Sequence, residues 1–163
     1  MQQSESPDEL RQSNGNHPVV VCASLYADPV HSGHIEYLKL SKALGDYLIV
    51  IVNNDHQAEL KKGKVFMECE ERMKILAEMR CVDMVVKSVD MDRTVCKTLT
   101  ILRPHKFTNG GDQFNDNIPE AEVCTLLGIE LVDGLGNKIQ SSSAIIKRAK
   151  EMPDYKASQS ASN

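Results

Sequence analysis

The chain has 163 residues, of which 41% are hydrophobic and 26% charged, and its formal net charge is -4. That length and composition describe one soluble domain with a full core, and the acidic balance speaks against bulk attraction to nucleic acid. No apolar stretch is long enough to span a bilayer, the start lacks the layout of a signal peptide, and five cysteines without a CxxC pair speak against a disulfide framework or a structural zinc site. Cys22, Cys69, Cys81, Cys96 and Cys124 instead read as reduced thiols in apolar segments, which sets the expectation of a cytoplasmic protein.

Residues 1–17 are almost free of apolar side chains and read as a disordered arm before a domain at 18–151. From residue 19 a Val and Cys run predicts a buried strand, closed by an Asp28-Pro29 turn. Ile35, Leu38, Leu40, Ala43 and Leu44 then recur at helical spacing. Residues 46–55 (DYLIVIVNND) form a near-continuous apolar run, the pattern of a parallel strand covered on both faces. Residues 56–66 are polar and basic and predict a loop with at most a short helix.

Residues 69–80 predict a helix with Glu70 and Glu71 at its positive end. Residues 81–88 predict a third strand, and 92–102 a helix stopped by Pro104. A short strand then runs into the Gly110-Gly111 turn. Residues 119–127 predict a helix with proline at its start and Gly128 at its end. A fifth strand, a glycine-rich loop and a helix capped by serines complete the domain, and 152–163 read as a disordered tail. Strands alternating with helices of about ten residues give the α/β class: one Rossmann-like domain, an open, mostly parallel five-stranded sheet with helices on both faces.

Ligands of such sheets bind beyond the carboxyl ends of the strands, where the chain places His31-Ser32-Gly33-His34. An HxxH alone is a weak pattern, but between a strand and a helix it falls where unpaired N–H groups and the helix dipole favour an anion. Two imidazoles there can donate to phosphate oxygens as charge builds on the attacked phosphorus, and Gly33 lets backbone approach the phosphate. No third ligand at matching spacing supports zinc.

Asp28 reads either as a turn initiator or as a carboxylate that orients a histidine or meets Mg²⁺ beside the phosphates. Lys61, Lys62 and Lys64 read as a loop closing over phosphates or as a solvated basic loop. Arg72 is a phosphate clamp or an exposed helix residue. Asn109 to Asp112 form a turn open to a base or ribose, or one chosen only for its dihedrals. Ser141, Ser142 and Ser143 offer an anion site or a plain N-cap, and Lys147 and Arg148 either add charge or complement the helix end.

The segments ADPVHSGHIEYLKLSKALGDYLIVIVNND, KKGK, EERMKILAEMRCVDMVV, LRPHKFTNGGD and QSSSAII together resemble the cytidylyltransferase-like nucleotidyltransferases that carry HxGH, over roughly residues 19–148. Within that family the chain looks closest to glycerol 3-phosphate cytidylyltransferases and heptose 1-phosphate adenylyltransferases, and the LRP…GGD stretch leans to the heptose type. The same stretch argues against the pantetheine-phosphate and mononucleotide adenylyltransferases. The resemblance implies transfer of a nucleoside monophosphate from ATP or CTP to a phosphorylated sugar or polyol. The acceptor phosphate attacks in line, pyrophosphate leaves, Mg²⁺ assists and no covalent enzyme intermediate forms.

By resemblance His31, His34 and Lys62 are catalytic, and Lys64 and Arg72 serve the acceptor phosphate. The nucleotide falls to Ala27, Asp28 and Gly33 at the turn, to Gly110, Gly111 and Asp112, and to Ser141, Ser142 and Ser143 at the last helix. The partners implied are a nucleoside triphosphate and a small phosphorylated acceptor, with neither nucleic acid nor membrane. Family members often pair as homodimers, which this sequence does not decide. Leu25-Tyr26-Ala27 stands where the family has Gly-x-Phe. A Leu25 side chain in the phosphate space would make the protein a catalytically impaired nucleotide binder of the same fold.

Overall fold

A computed structural model describes residues 17–110, 118–136 and 142–152. The expected arm and tail fall almost entirely outside these residues. Five strands, β1 (Val20–Leu25), β2 (Tyr47–Val52), β3 (Met84–Lys87), β4 (Lys106–Gly110) and β5 (Glu130–Leu135), form one sheet in the order β3-β2-β1-β4-β5. Every neighbouring pair is parallel. The described helices are α1 (Ser32–Lys42), α2 (Asp55–Lys62), α3 (Cys69–Ala77), α4 (Cys96–Leu102), α5 (Glu120–Leu127) and α6 (Ser142–Glu151). The expected open parallel sheet, covered on both faces, is what the chain adopts.

Alternation along the strands assigns the two faces. Val21, Ala23 and Leu25 of β1 and Leu48, Val50 and Val52 of β2 pack against Tyr37 and Leu38 of α1 and Cys69 and Leu76 of α3. Val20, Cys22, Ile49 and Ile51 turn to the other face, where they cluster with Phe107 of β4, Leu99 of α4 and Cys124 of α5. Residues Leu48 to Val52 have no solvent exposure, which is why their sequence runs apolar without a break. Gly45 joins α1 to β2 where a Cβ would come within 2.6 Å of the Val19 carbonyl oxygen and the Val21 side chain. Only glycine fits there.

The stretch at 56–66, expected as a loop with at most a short helix, begins in the short, eight-residue helix α2. Its buried side chains are only Gln57 and Ala58, so no apolar period announces it. It stands on a capping box, with Asn54 accepting from Gln57 N–H and Gln57 from Asn54 N–H, and Gly63 closes it at φ 83. The helix expected from 92 starts at Cys96 instead. Asp92 folds back on Thr94, and the buried Asp90 carboxylate accepts the Lys97 and Thr98 N–H groups, capping α4 from a distance.

The order of strands reverses between β1 and β4, and the sheet opens there. The β1–β2 ladder continues to Leu25 and Val52, but the β1–β4 ladder ends at Ala23 and Thr108. Tyr37 of α1 props the opening: its hydroxyl donates to the Thr108 carbonyl at 2.7 Å and lies 3.3 Å from the Ser24 carbonyl. Ser41, four residues on, pairs with the Thr108 hydroxyl at 2.9 Å. Among the described residues no helix is long and apolar enough to cross a membrane.

Candidate active site

His31 is the N-cap of α1, and the pair of histidines caps the helix reciprocally. His31 Nδ1 accepts the Gly33 N–H at 3.1 Å, and His34 Nδ1 accepts the His31 N–H at 3.1 Å. The rings stack with centroids 3.8 Å apart, so they face one another. An Nδ1 that accepts a backbone N–H carries no proton, which leaves the proton of each neutral ring on Nε2. Burial holds the His34 pKa down to about 3, reinforced by His31, Lys62 and Lys61. Burial and then Lys62 lower that of His31. At neutral pH the site therefore presents two uncharged Nε2–H donors, ready for an anion without an imidazolium's desolvation cost.

Lys62, the last residue of α2, reaches this corner and donates to the Asp28 carbonyl, its Nζ 3.9 Å from the Asp28 carboxylate. Burial pulls its pKa down, with Asp28 opposing. The Asp28 carboxylate is fully buried and engaged: its two oxygens accept the Phe66 and Met67 N–H groups. Asp28 thus ties the segment after α2 to the end of β1, and neither expected role, orienting a histidine or meeting Mg²⁺, matches this geometry. Among the described residues no group of His, Cys, Asp or Glu side chains could hold a metal ion. The described residues do not by themselves make a magnesium cage.

Arg72 also departs from its expected place. It has no solvent exposure, and its guanidinium donates to the carbonyls of Met67, Tyr26 and Asn53 and to the Asp55 carboxylate. Four of five N–H donors are thereby used, so Arg72 lies beneath the site as a brace between the ends of β1 and β2 and is not a surface phosphate clamp. Lys64 is exposed on the segment held by Asp28. Lys61 places its ammonium 4.2 Å from the centroid of the Tyr26 ring.

Leu25 is 7% exposed and packs in the core with Tyr37 and Leu38, so the side chain feared as a plug is inside the protein. Ala27 is buried with φ 52, a left-handed residue in the turn that delivers the histidines. Gly110 ends β4 on the far side of the opening. Gly111, Asp112 and Ser141 lie outside the described residues. Ser142 starts α6 and donates from Oγ to the Pro29 carbonyl at 2.8 Å, which docks that helix start on the histidine turn, while Ser143 is exposed. Tyr37 and Ser41 escaped the sequence reading, although their spacing of three and seven from His34 puts all three near one helix face.

The geometry has counterparts. The cytidylyltransferase-like family model matches residues 26–159. The FAD synthase of Picrophilus torridus is 37% identical over 130 residues, 77% of this chain and 91% of that protein. The Bifunctional protein HldE of Pelobacter propionicus is 32% identical over 128 residues, 76% of this chain but 25% of that longer protein. A crystal structure described as a lipopolysaccharide core biosynthesis protein from Thermoplasma volcanium superposes with a TM-score of 0.62 at 29% identity, covering 74% of this chain and 98% of the other. A histidine-capped helix at the strand-order reversal and a family match over most of the chain lead to one conclusion: the protein belongs to the cytidylyltransferase-like family of nucleotidyltransferases.

Proposed function

We propose that the chain transfers a nucleoside monophosphate from ATP or CTP to the phosphate of a phosphorylated sugar or polyol, releasing pyrophosphate. The observation that carries this reading is the stacked, reciprocally capped His31–His34 pair at the mouth of the β1–β4 opening. Bound with its α-phosphate before these rings, a nucleotide would receive two Nε2–H bonds that shorten as the phosphorus becomes five-coordinate and its oxygens gain charge. Lys62 adds a positive charge whose position Asp28 fixes. The acceptor's phosphate oxygen forms the new P–O bond, and the electron pair of the breaking bond leaves with pyrophosphate. No protein nucleophile takes part.

The acceptor class accommodates both kinds of relative. Glycerol 3-phosphate and heptose 1-phosphate are the acceptors that the sequence resemblance implies. FAD arises when AMP is joined to riboflavin 5′-phosphate, itself the phosphate ester of a polyol chain. The test is pyrophosphate release from ATP and from CTP with each of these three acceptors. Turnover with one of them, strongly reduced in His34→Ala, is the expected result. If no acceptor turns over and His34→Ala leaves nucleotide affinity unchanged, the reading is wrong.

A further inference from the structure

Apolar packing sets how closely a helix lies on a sheet, but its position along and about its own axis is left to directional bonds. The hydrogen bonds of the histidine pair run within α1 and its first turn, so they fix the rings to the helix and not the helix to the sheet. One turn on from His34, the buried hydroxyls of Tyr37, Ser41 and Thr108 make that second connection. The Tyr37 hydroxyl donates to the Thr108 carbonyl at 2.7 Å, Ser41 Oγ donates to the Tyr37 carbonyl at 2.9 Å, and the Ser41 and Thr108 hydroxyls lie 2.9 Å apart. Each hydroxyl has one proton, so the last bond runs from Thr108 to Ser41 and the cycle closes with every donor used once. It sits where the strands part: Thr108 is the last β4 residue paired with β1, and the Ser24 carbonyl of β1 lies 3.3 Å from the same Tyr37 hydroxyl. Burial raises the phenol pKa, so this donor keeps its proton well above neutral pH.

We propose that Tyr37 is a positioning residue for nucleotidyl transfer, its hydroxyl setting α1 against both strands of the opening so that His34 is held at the reacting phosphate. The inference rests on the nucleotidyl-transfer reading and goes beyond it, because it assigns the placement of the histidine to a residue buried behind the site. His34 and Tyr37 are about 4.5 Å apart along the helix axis, so a shift of the helix at Tyr37 reaches the histidine almost undiminished. Rate depends steeply on such placement: a displacement of about 1 Å can cost about 10²-fold, whereas ground-state affinity is spread over the whole triphosphate. A hydroxyl with a merely structural role would lower stability and leave the rate of the folded enzyme unchanged.

Pyrophosphate release with the acceptor that wild type turns over, and calorimetric titration with ATP and CTP, test this on the full chain with Tyr37→Phe and Ser41→Ala. Tyr37→Phe keeps the aromatic ring in the core and removes only the hydroxyl; kcat is expected to fall about tenfold with nucleotide Kd within about twofold of wild type. Ser41→Ala opens the same cycle of bonds from its other side and is expected to lower kcat as well, so the test stands even if Tyr37→Phe fails to fold. Ile49→Val trims the core on the opposite face of the sheet, controls for lost stability and is expected to leave kcat unchanged. In a His34→Ala background Tyr37→Phe is expected to change kcat by less than about twofold, because the histidine through which it acts is gone. Unchanged kcat in both hydroxyl variants, an equal fall in Ile49→Val, a fall explained by weaker nucleotide binding, or a full further fall in the His34→Ala background would each overturn the proposal. Absence of wild-type turnover with every acceptor overturns the transfer reading and this inference together, whereas wild-type turnover with unimpaired hydroxyl variants overturns this inference alone.

Discussion

At the carboxyl ends of β1 and β2, the Arg72 and Asp28 side chains are engaged inside the protein. Arg72 gathers the carbonyls of Tyr26, Asn53 and Met67, and Asp28 holds two N–H groups and Lys62. At the carboxyl end of β4, beyond Thr108, the ladder to β1 stops and the Asn109 amide stays unpaired. The helix α6 buries none of its described side chains and docks on the histidine turn through the Ser142 hydroxyl bond to Pro29. One half of the mouth is preassembled by internal bonds, and the other leaves a buried amide without a partner among the described residues. Preorganised donors stabilise a transition state without reorganisation during reaction, so the β1–β2 half suits the chemistry and the β4 half suits binding.

That contrast can be broken by substitution. The largest expected effect is on rate: His34→Ala removes one neutral donor at the reacting phosphate and should lower kcat by about 10²–10³-fold in the pyrophosphate assay. Next is stability of the preassembled half. Arg72→Met leaves buried carbonyls and Asp55 without their partner and should cost about 3–5 kcal/mol, read as a lowered urea midpoint. An equal loss of stability from a substitution in α6 would erase the distinction between the halves.

Acidification should act next. The folded state holds His34 near pKa 3 while the unfolded chain titrates near the ordinary 6.5, so the unfolded state binds more protons between these values. Stability is therefore full above about pH 6.5 and is lost as pH falls, by roughly 2 kcal/mol between pH 7 and pH 5 for His34. His31 contributes in the same direction. Denaturant midpoints across that window check it, and a flat profile would mean that His34 is not held neutral by burial. The smallest effect belongs to Ser142→Ala, which removes the hydroxyl bond to Pro29 and should cost about 1 kcal/mol while leaving Arg72-dependent stability untouched.

Much of the architecture is legible in the amino acids alone, because local pattern and burial agree. The unbroken Leu48 to Val52 run belongs to a strand buried on both faces, and the HxGH between strand and helix marks an anion-binding corner. Periodicity is silent where polar side chains build the element: α2 stands on Asn54 and Gln57 caps, and α4 is capped by Asp90 from six residues upstream. Composition likewise cannot say which cation faces solvent. Arg72 and Lys62 look alike as basic residues near a phosphate corner, yet one is a buried brace and the other reaches the histidines. That choice depends on where four carbonyl and carboxylate groups, distant in sequence, converge. The same holds for Leu25, which the strand's alternation turns into the core, and for Asn109, whose unpaired amide exists only because two strands separate just beneath it. Spacing along the chain determined the elements and the histidine pair; long-range packing alone decided which polar groups are satisfied and which are left for a ligand.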